Sequence, residues 1–246
     1  MSLVAVGAGK GAPGCSFVSI NLATVLADPG PRVALLDLDP HGGDLAAYLN
    51  LDPRKGMNLL ARTSAPFLEA LNREGELKQN VLCVGGFPRA ADSNRELIEA
   101  TLAAARGAGQ TVVADLGRVG SGSAPLFSSA DLVLIVVRPG LVAVHGARRA
   151  IQDLQDAGIP SGRIHAVING WERQRPGDLA ESAAALPVRT LGAIPLDRKA
   201  TRRSETAQTP VNKGAALKAF RALASEVARV LASQPDNQRR ASRILR

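Results

Sequence analysis

Residues 9–16 read Gly-Lys-Gly-Ala-Pro-Gly-Cys-Ser and lie between an apolar run, Leu3-Val4-Ala5-Val6, and a helix-forming stretch from Phe17 to Leu26. A glycine-rich loop between a strand and a helix suits the binding of an anion. Gly9, Gly11 and Gly14 permit tight turns that side chains would block. Successive backbone N–H groups then point into one hollow, and the following helix adds its positive end. Ser16 places a hydroxyl where such loops ligate Mg²⁺. In the ordinary phosphate loop a lysine directly precedes that hydroxyl and reaches the outer phosphates. Here Cys15 holds the place, and Lys10 stands near the front of the loop. A full charge about 4 Å from a phosphate, at an effective dielectric near 20, is worth roughly 4 kcal/mol. That is about a thousandfold in binding. A ligand-free strand-to-helix turn is the competing reading of the loop taken alone.

Two further segments carry carboxylates. Asp37-Leu38-Asp39-Pro40 follows the apolar run Val33 to Leu36, and Asp115 ends Thr111-Val112-Val113-Ala114. Carboxylates at the C-terminal ends of parallel strands converge on the crevice where ligands bind in open α/β sheets. Asp115 is suited to hold the hydration shell of Mg²⁺, and Asp39 to orient a water or contact the metal. A single strand-end Asp is commonly a helix cap or turn former. Three phosphate-site components in the correct chain order favour nucleotide binding.

Alternating strands and helices must position these groups. Strands are expected near 3–7, 32–37, 80–84, 111–115, 131–137, 163–168 and 188–193, and helices near 15–27, 66–73, 93–107, 141–157, 176–185 and 213–232. This alternation predicts a three-layer α/β fold with a mostly parallel, doubly wound sheet of about seven strands and right-handed crossovers. The 246 residues suit one such domain over 1–233, followed by a flexible basic tail over 234–246. Hydrophobic residues make up 46% but aromatics only 3%, so the core relies on aliphatic side chains and offers no aromatic platform for single-stranded nucleic acid. The start of the chain lacks a basic segment followed by an apolar signal core, and no apolar run approaches the ~20 residues of a membrane span. Two cysteines, Cys15 and Cys83, provide no disulfide framework, which predicts a cytoplasmic protein. Cys15 at a helix N-terminus could carry a lowered pKa, although replacement by a small residue is the simpler reading.

From Leu3 to about Ala232 the chain resembles the ParA/MinD family of partitioning and positioning ATPases. The resemblance rests on Lys10-Gly11-Ala12-Pro13-Gly14-Cys15-Ser16, Leu36-Asp37-Leu38-Asp39-Pro40 and Val113-Ala114-Asp115-Leu116-Gly117. It continues through Ala130 to Val136, Val167-Ile168-Asn169-Gly170, Leu191 to Asp197, and Thr209-Pro210-Val211. It implies a P-loop NTPase fold of deviant Walker A type, with ATP and Mg²⁺ as cofactors. Residues 9–16 and Phe17, with Asn169, Pro195 and Asp197, would hold the nucleotide. Ser16, Asp39 and Asp115 would serve the metal, and Lys10 and Asp39 catalysis. Lys10 would reach the partner's phosphates across an ATP-sandwich homodimer, and Asn169 would contact the adenine. Cys15 departs from the pattern and bears on hydrolysis more than on binding. The stretch Asp37 to Ala46 also looks like the TadZ/CpaE branch, which localises pilus assembly machinery. This chain begins directly with the first strand, so that branch's extra N-terminal receiver-like domain would be absent or encoded elsewhere.

The formal charge of +8 comes from 30 Lys+Arg against 22 Asp+Glu. It suits an anionic membrane face, non-specific DNA or an acidic protein. Candidate clusters are Arg148-Arg149, Arg173 with Arg175, Arg198-Lys199, Arg202-Arg203 and the tail, each more often just a solvated face. His41, His145 and His165 show no metal-ligand spacing, and Trp171 could flank a base pocket. The reading is an ATP-dependent dimerisation switch that positions a cellular assembly through a protein partner of a secretion, pilus or partitioning system. Hydrolysis would be slow or absent. An inactive scaffold of the same fold is the rival, and a metabolic enzyme is a third reading without a substrate motif.

Overall fold

The computed structural model describes residues 2–10, 13–28, 33–41, 43–52, 55–56, 69, 75–78, 80–86, 95–107, 111–204 and 210–234. The strands form one sheet in the order β3-β4-β2-β5-β1-β6-β7-β8. They are β1 (Leu3–Ala8), β2 (Val33–Asp37), β3 (Glu76–Lys78), β4 (Val81–Val84), β5 (Thr111–Arg118), β6 (Leu132–Val137), β7 (Ile164–Trp171) and β8 (Thr190–Pro195). Seven of them pair in parallel, and β3 pairs antiparallel with β4 at the edge. The described helices are α1 (Cys15–Leu26), α2 (Leu45–Leu49), α3 (Arg95–Gly107), α4 (Leu141–Asp156), α5 (Pro176–Ala184), α6 (Arg198–Ser204) and α7 (Gly214–Ser233).

Strands β1, β2, β4 and β6 are buried at every position. Parallel strands covered on both faces need apolar side chains throughout, which is why they read as unbroken aliphatic runs. Along β1 the pleat sends Leu3 and Ala5 toward α3 and α4 and sends Val4 and Val6 toward α1 and α7. The seven expected strands and the three layers are all present. Three elements went unforeseen, namely β3, α2 and α6. Each is seven residues or fewer, too short for a hydrophobic period to show. The helix expected at 66–73 lies outside the described residues except for Glu69, which is helical.

Few aromatics means that each counts. Phe220 of α7 is fully buried and meets Phe17 of α1 edge-on, with ring centroids 5.7 Å apart and an interplanar angle of 65°. Phe220→Ala is expected to cost about 3–5 kcal/mol, read as a lowered urea midpoint at unchanged m-value.

At their C-terminal ends β1–β5 and β7–β8 both lose regular register. The shifts fall between Val6 and Gly7 and between Asn169 and Trp171. Such irregularities bend a strand and re-aim its side chains. Here they bracket the turn from β1 into α1.

Candidate functional site

Gly14 is the residue before α1 and has φ 93, a left-handed conformation that L side chains rarely adopt. A Cβ at this position would also lie 2.5 Å from Asn169 Nδ2. The Asn169 amide sits against the loop and donates a 2.8 Å hydrogen bond to the Pro13 carbonyl. The end of β7 thus fastens the loop to the sheet. Cys15 and Ser16 follow as the first residues of α1. Gly11 and Ala12 lie outside the described residues.

The Ser16 hydroxyl donates to the Asp115 carboxylate, which also accepts the Gly117 N–H at 3.2 Å. Asp115 is buried, and burial pushes its pKa up to about 6 against the relief from those two hydrogen bonds; Asp39 and Asp44 push the same way. Gly117 (φ 64) packs on Asp39, since a Cβ there would lie 2.2 Å from Asp39 Oδ2. Asp39 Oδ1 accepts the His41 N–H at 2.9 Å. The residue that sequence reading passed over is Asp37. It is fully buried and accepts N–H groups from Leu45 at 3.1 Å and Asp39 at 3.4 Å. Burial first and the Asp115 charge second hold its carboxyl well above the usual range. Asp39 is local, but Leu45 lies eight residues on, and no short motif signals that fold-back.

Cys15 behaves opposite to a reactive thiol. Desolvation, then the Asp115 and Asp39 charges, push its pKa well above the ordinary value, which goes against a reactive thiol and agrees with the simpler reading of a small-residue replacement. The group beneath the loop is therefore a neutral thiol. Among the described residues no three His, Cys, Asp or Glu side chains gather as a ready metal cage. A hydroxyl with one or two carboxylates nevertheless fits Mg²⁺, which retains waters and completes its shell with phosphate oxygens.

On the β7–β8 side a 160 Å³ cavity brings Phe17, Asn169, Pro195 and Asp197 together with Pro13 and Gly14. Tyr48 and Arg138, neither anticipated from sequence, line it as well. Asp197 Oδ1 accepts the Lys199 and Ala200 N–H groups, both at 3.0 Å, so this carboxylate also holds the start of α6. Asn21 of α1 accepts the Val211 N–H at 2.7 Å and ties that segment to the helix. On the β6 side Lys10 is exposed and lines a 390 Å³ cavity with Pro13, Arg138 and Leu141. Leu141 and Val142 are the exposed large hydrophobics among the described residues, at 85% and 64%.

Other sequence candidates fall elsewhere. Trp171 lines a neighbouring 490 Å³ cavity with Arg173, Arg198 and Lys199, not the cavity that holds Asn169. Arg148 donates to the Ala185 carbonyl and Arg203 to Asn212 Oδ1. His41 and His145 are exposed, whereas His165 is buried in β7, where desolvation and Arg189 lower its pKa. Of the tail only Gln234 is described, and it donates to the Asp131 carbonyl at 2.6 Å.

Asn169→Ala removes the 2.8 Å tie to Pro13. A net hydrogen bond is worth about 0.5–1.5 kcal/mol, so a loss of stability of that size is expected, measurable as a lowered thermal midpoint.

Solved structures superpose along nearly the whole chain. A ParA family ATPase from Chlorobium tepidum matches with TM-score 0.77 at 18% identity, covering 91% of this chain and 98% of that one. The septum site-determining protein MinD from Pyrococcus horikoshii, solved with Mg-ADP, matches with TM-score 0.71 at 18% identity, covering 95% and 99%. The fold is that of the ParA/MinD P-loop NTPases. Sequence comparison gives partial matches. A ParA family model, described as NUBPL iron-transfer P-loop NTPase, matches residues 1–70. An iron-sulfur cluster carrier protein from Aquifex aeolicus is 25% identical over 94% of this chain and 68% of its own length. A putative tyrosine-protein kinase, EpsB, from Ralstonia solanacearum is 30% identical over 59% of this chain, which spans only 20% of the kinase. No helix among the described residues is long and apolar enough to cross a membrane.

Proposed function

We propose that this chain binds MgATP and uses it as a dimerisation switch to position a cellular assembly. The observation that carries the reading is the convergence on Gly14 of the start of α1, the Ser16–Asp115 pair and the Asn169-lined cavity. Phosphates would rest on backbone N–H groups of the loop that leads into α1, at the positive end of that helix. The base occupies the cavity of Phe17, Asn169, Pro195 and Asp197. Ser16, Asp39 and Asp115 face the Mg²⁺ shell, and Asp39 orients the attacking water. Lys10, exposed on the β6 side, reaches the phosphates of a second copy.

Cys15 leaves the outer phosphates short of a cation, so hydrolysis is slow. A non-hydrolysing scaffold is the second reading, and the neutral thiol favours it. The TadZ/CpaE-like stretch Asp37 to Ala46 points to pilus machinery as the cargo. The basic tail 234–246 and the Arg173, Arg198 and Lys199 rim offer contacts for an anionic membrane face or DNA. Iron–sulfur carriage is not adopted: Cys83 is buried in β4 with its Sγ 3.6 Å from the Val81 carbonyl, which leaves Cys15 without an accessible thiol partner among the described residues.

Sedimentation velocity with and without MgATP, alongside phosphate release, tests the switch. A monomer that dimerises with MgATP, and fails to do so as Lys10→Ala, supports it. A protein whose mass ignores nucleotide contradicts the switch and leaves the scaffold.

A further inference from the structure

Three carboxylates, Asp37, Asp39 and Asp115, stand at the strand ends beside the loop, and no lysine occupies position 15. A site that is to hold a polyphosphate there needs positive charge from somewhere else. Lys10 and Arg138 are the cationic side chains that line the two cavities flanking Pro13, and only Arg138 lines both. Arg138 follows directly on β6, the strand that neighbours β1 and β7. Its guanidinium lies across Gly170, where Nη2 would be 3.4 Å from an added Cβ. That places the charge beside Asn169 and the turn of the phosphate loop. Arg138 is exposed, and among the described residues no hydrogen bond or ion pair engages it. Asp197, the acid lining the same cavity, gives Oδ1 to the N–H groups of α6 instead. An exposed arginine held over a glycine is a flexible donor fork without a described partner.

We propose that Arg138 supplies, from the β6 side, the phosphate-facing charge that Cys15 withholds, gripping the nucleotide between its sugar and its phosphates. This rests on the MgATP reading above. Arginine suits the task because its planar fork matches phosphate oxygens bidentately, unlike a point-charge ammonium. The position is not the one a lysine at residue 15 would occupy, since it approaches from outside the loop. It would hold the ligand without reaching under the outer phosphate, and so would serve binding more than turnover.

The test is calorimetry of MgATP and of adenosine, which lacks phosphate, against the wild type, Arg138→Gln, Arg138→Lys and Cys15→Lys/Arg138→Gln. Thermal melts of the wild type and the two single Arg138 variants should agree, because the exposed side chain has no described partner to lose. Arg138→Gln should weaken MgATP by roughly 10- to 100-fold and leave adenosine unchanged. Arg138→Lys should fall between, and the double variant should recover most of the loss. Equal MgATP affinity in Arg138→Gln overturns the assignment while leaving the nucleotide reading intact. Equal losses for MgATP and adenosine also overturn it, because Arg138 then serves the base. A wild type that binds adenosine but not MgATP, or binds neither, sinks the MgATP reading and the assignment with it.

Discussion

Cys15→Lys is expected to tighten MgATP binding by ten- to a thousandfold and to raise phosphate release. The upper bound is the roughly 4 kcal/mol that a full charge gains about 4 Å from a phosphate at an effective dielectric near 20. The lower bound reflects competition. Asp115 and Asp39 already push the Cys15 thiol toward its neutral form, so in the empty protein they would attract an ammonium at this position. Part of the gain then appears as stability of the nucleotide-free state. Thermal melts without ligand measure that part and calorimetry measures the rest. Unchanged affinity together with unchanged stability would mean that position 15 faces neither the phosphates nor the carboxylates.

Asp115→Asn is expected to stabilise the empty protein at pH 8 and to abolish the contribution of Mg²⁺ to nucleotide binding. Asp115 titrates near 6 when folded, against an ordinary 3.8, chiefly because burial penalises its charge. Between those values the folded protein binds a proton that the unfolded chain has released, so stability falls as pH rises from about 4 to about 6 and stays lower above. The gap corresponds to something on the order of 3 kcal/mol. The amide still accepts from Ser16 and Gly117 but carries no charge. The stability difference between variant and wild type should therefore be near zero at pH 4 and largest at pH 8. A difference that is constant across that range would show that the ionised carboxylate is not the source. Asp37, whose pKa is raised by the same burial, adds a trend of the same sign in both proteins.

Much of the site was legible because its parts sit at strand ends. Asp115 and Asn169 each end an aliphatic run that reads as a covered strand, and Ser16 follows another across the glycine loop, so strand-and-helix alternation places all three at one end of the sheet. The short elements resisted. The sequence of α6, Arg-Lys-Ala-Thr-Arg-Arg-Ser, has no apolar stripe, and the helix is started by Asp197 and not by its own pattern. Asp37 looks like its neighbour Asp39 until the backbone of Leu45 turns back onto it. Arg138 reads as any surface arginine at a strand end. Only the meeting of two cavities at its side chain sets it apart.

Titrating wild-type protein with MgATP in a calorimeter, beside Cys15→Ser, bears most directly on whether a backbone cradle grips triphosphate without its customary lysine. The expected result is saturable binding of one nucleotide per chain in both proteins, because neither thiol nor hydroxyl supplies the grip. Heats of dilution alone up to millimolar nucleotide would contradict it.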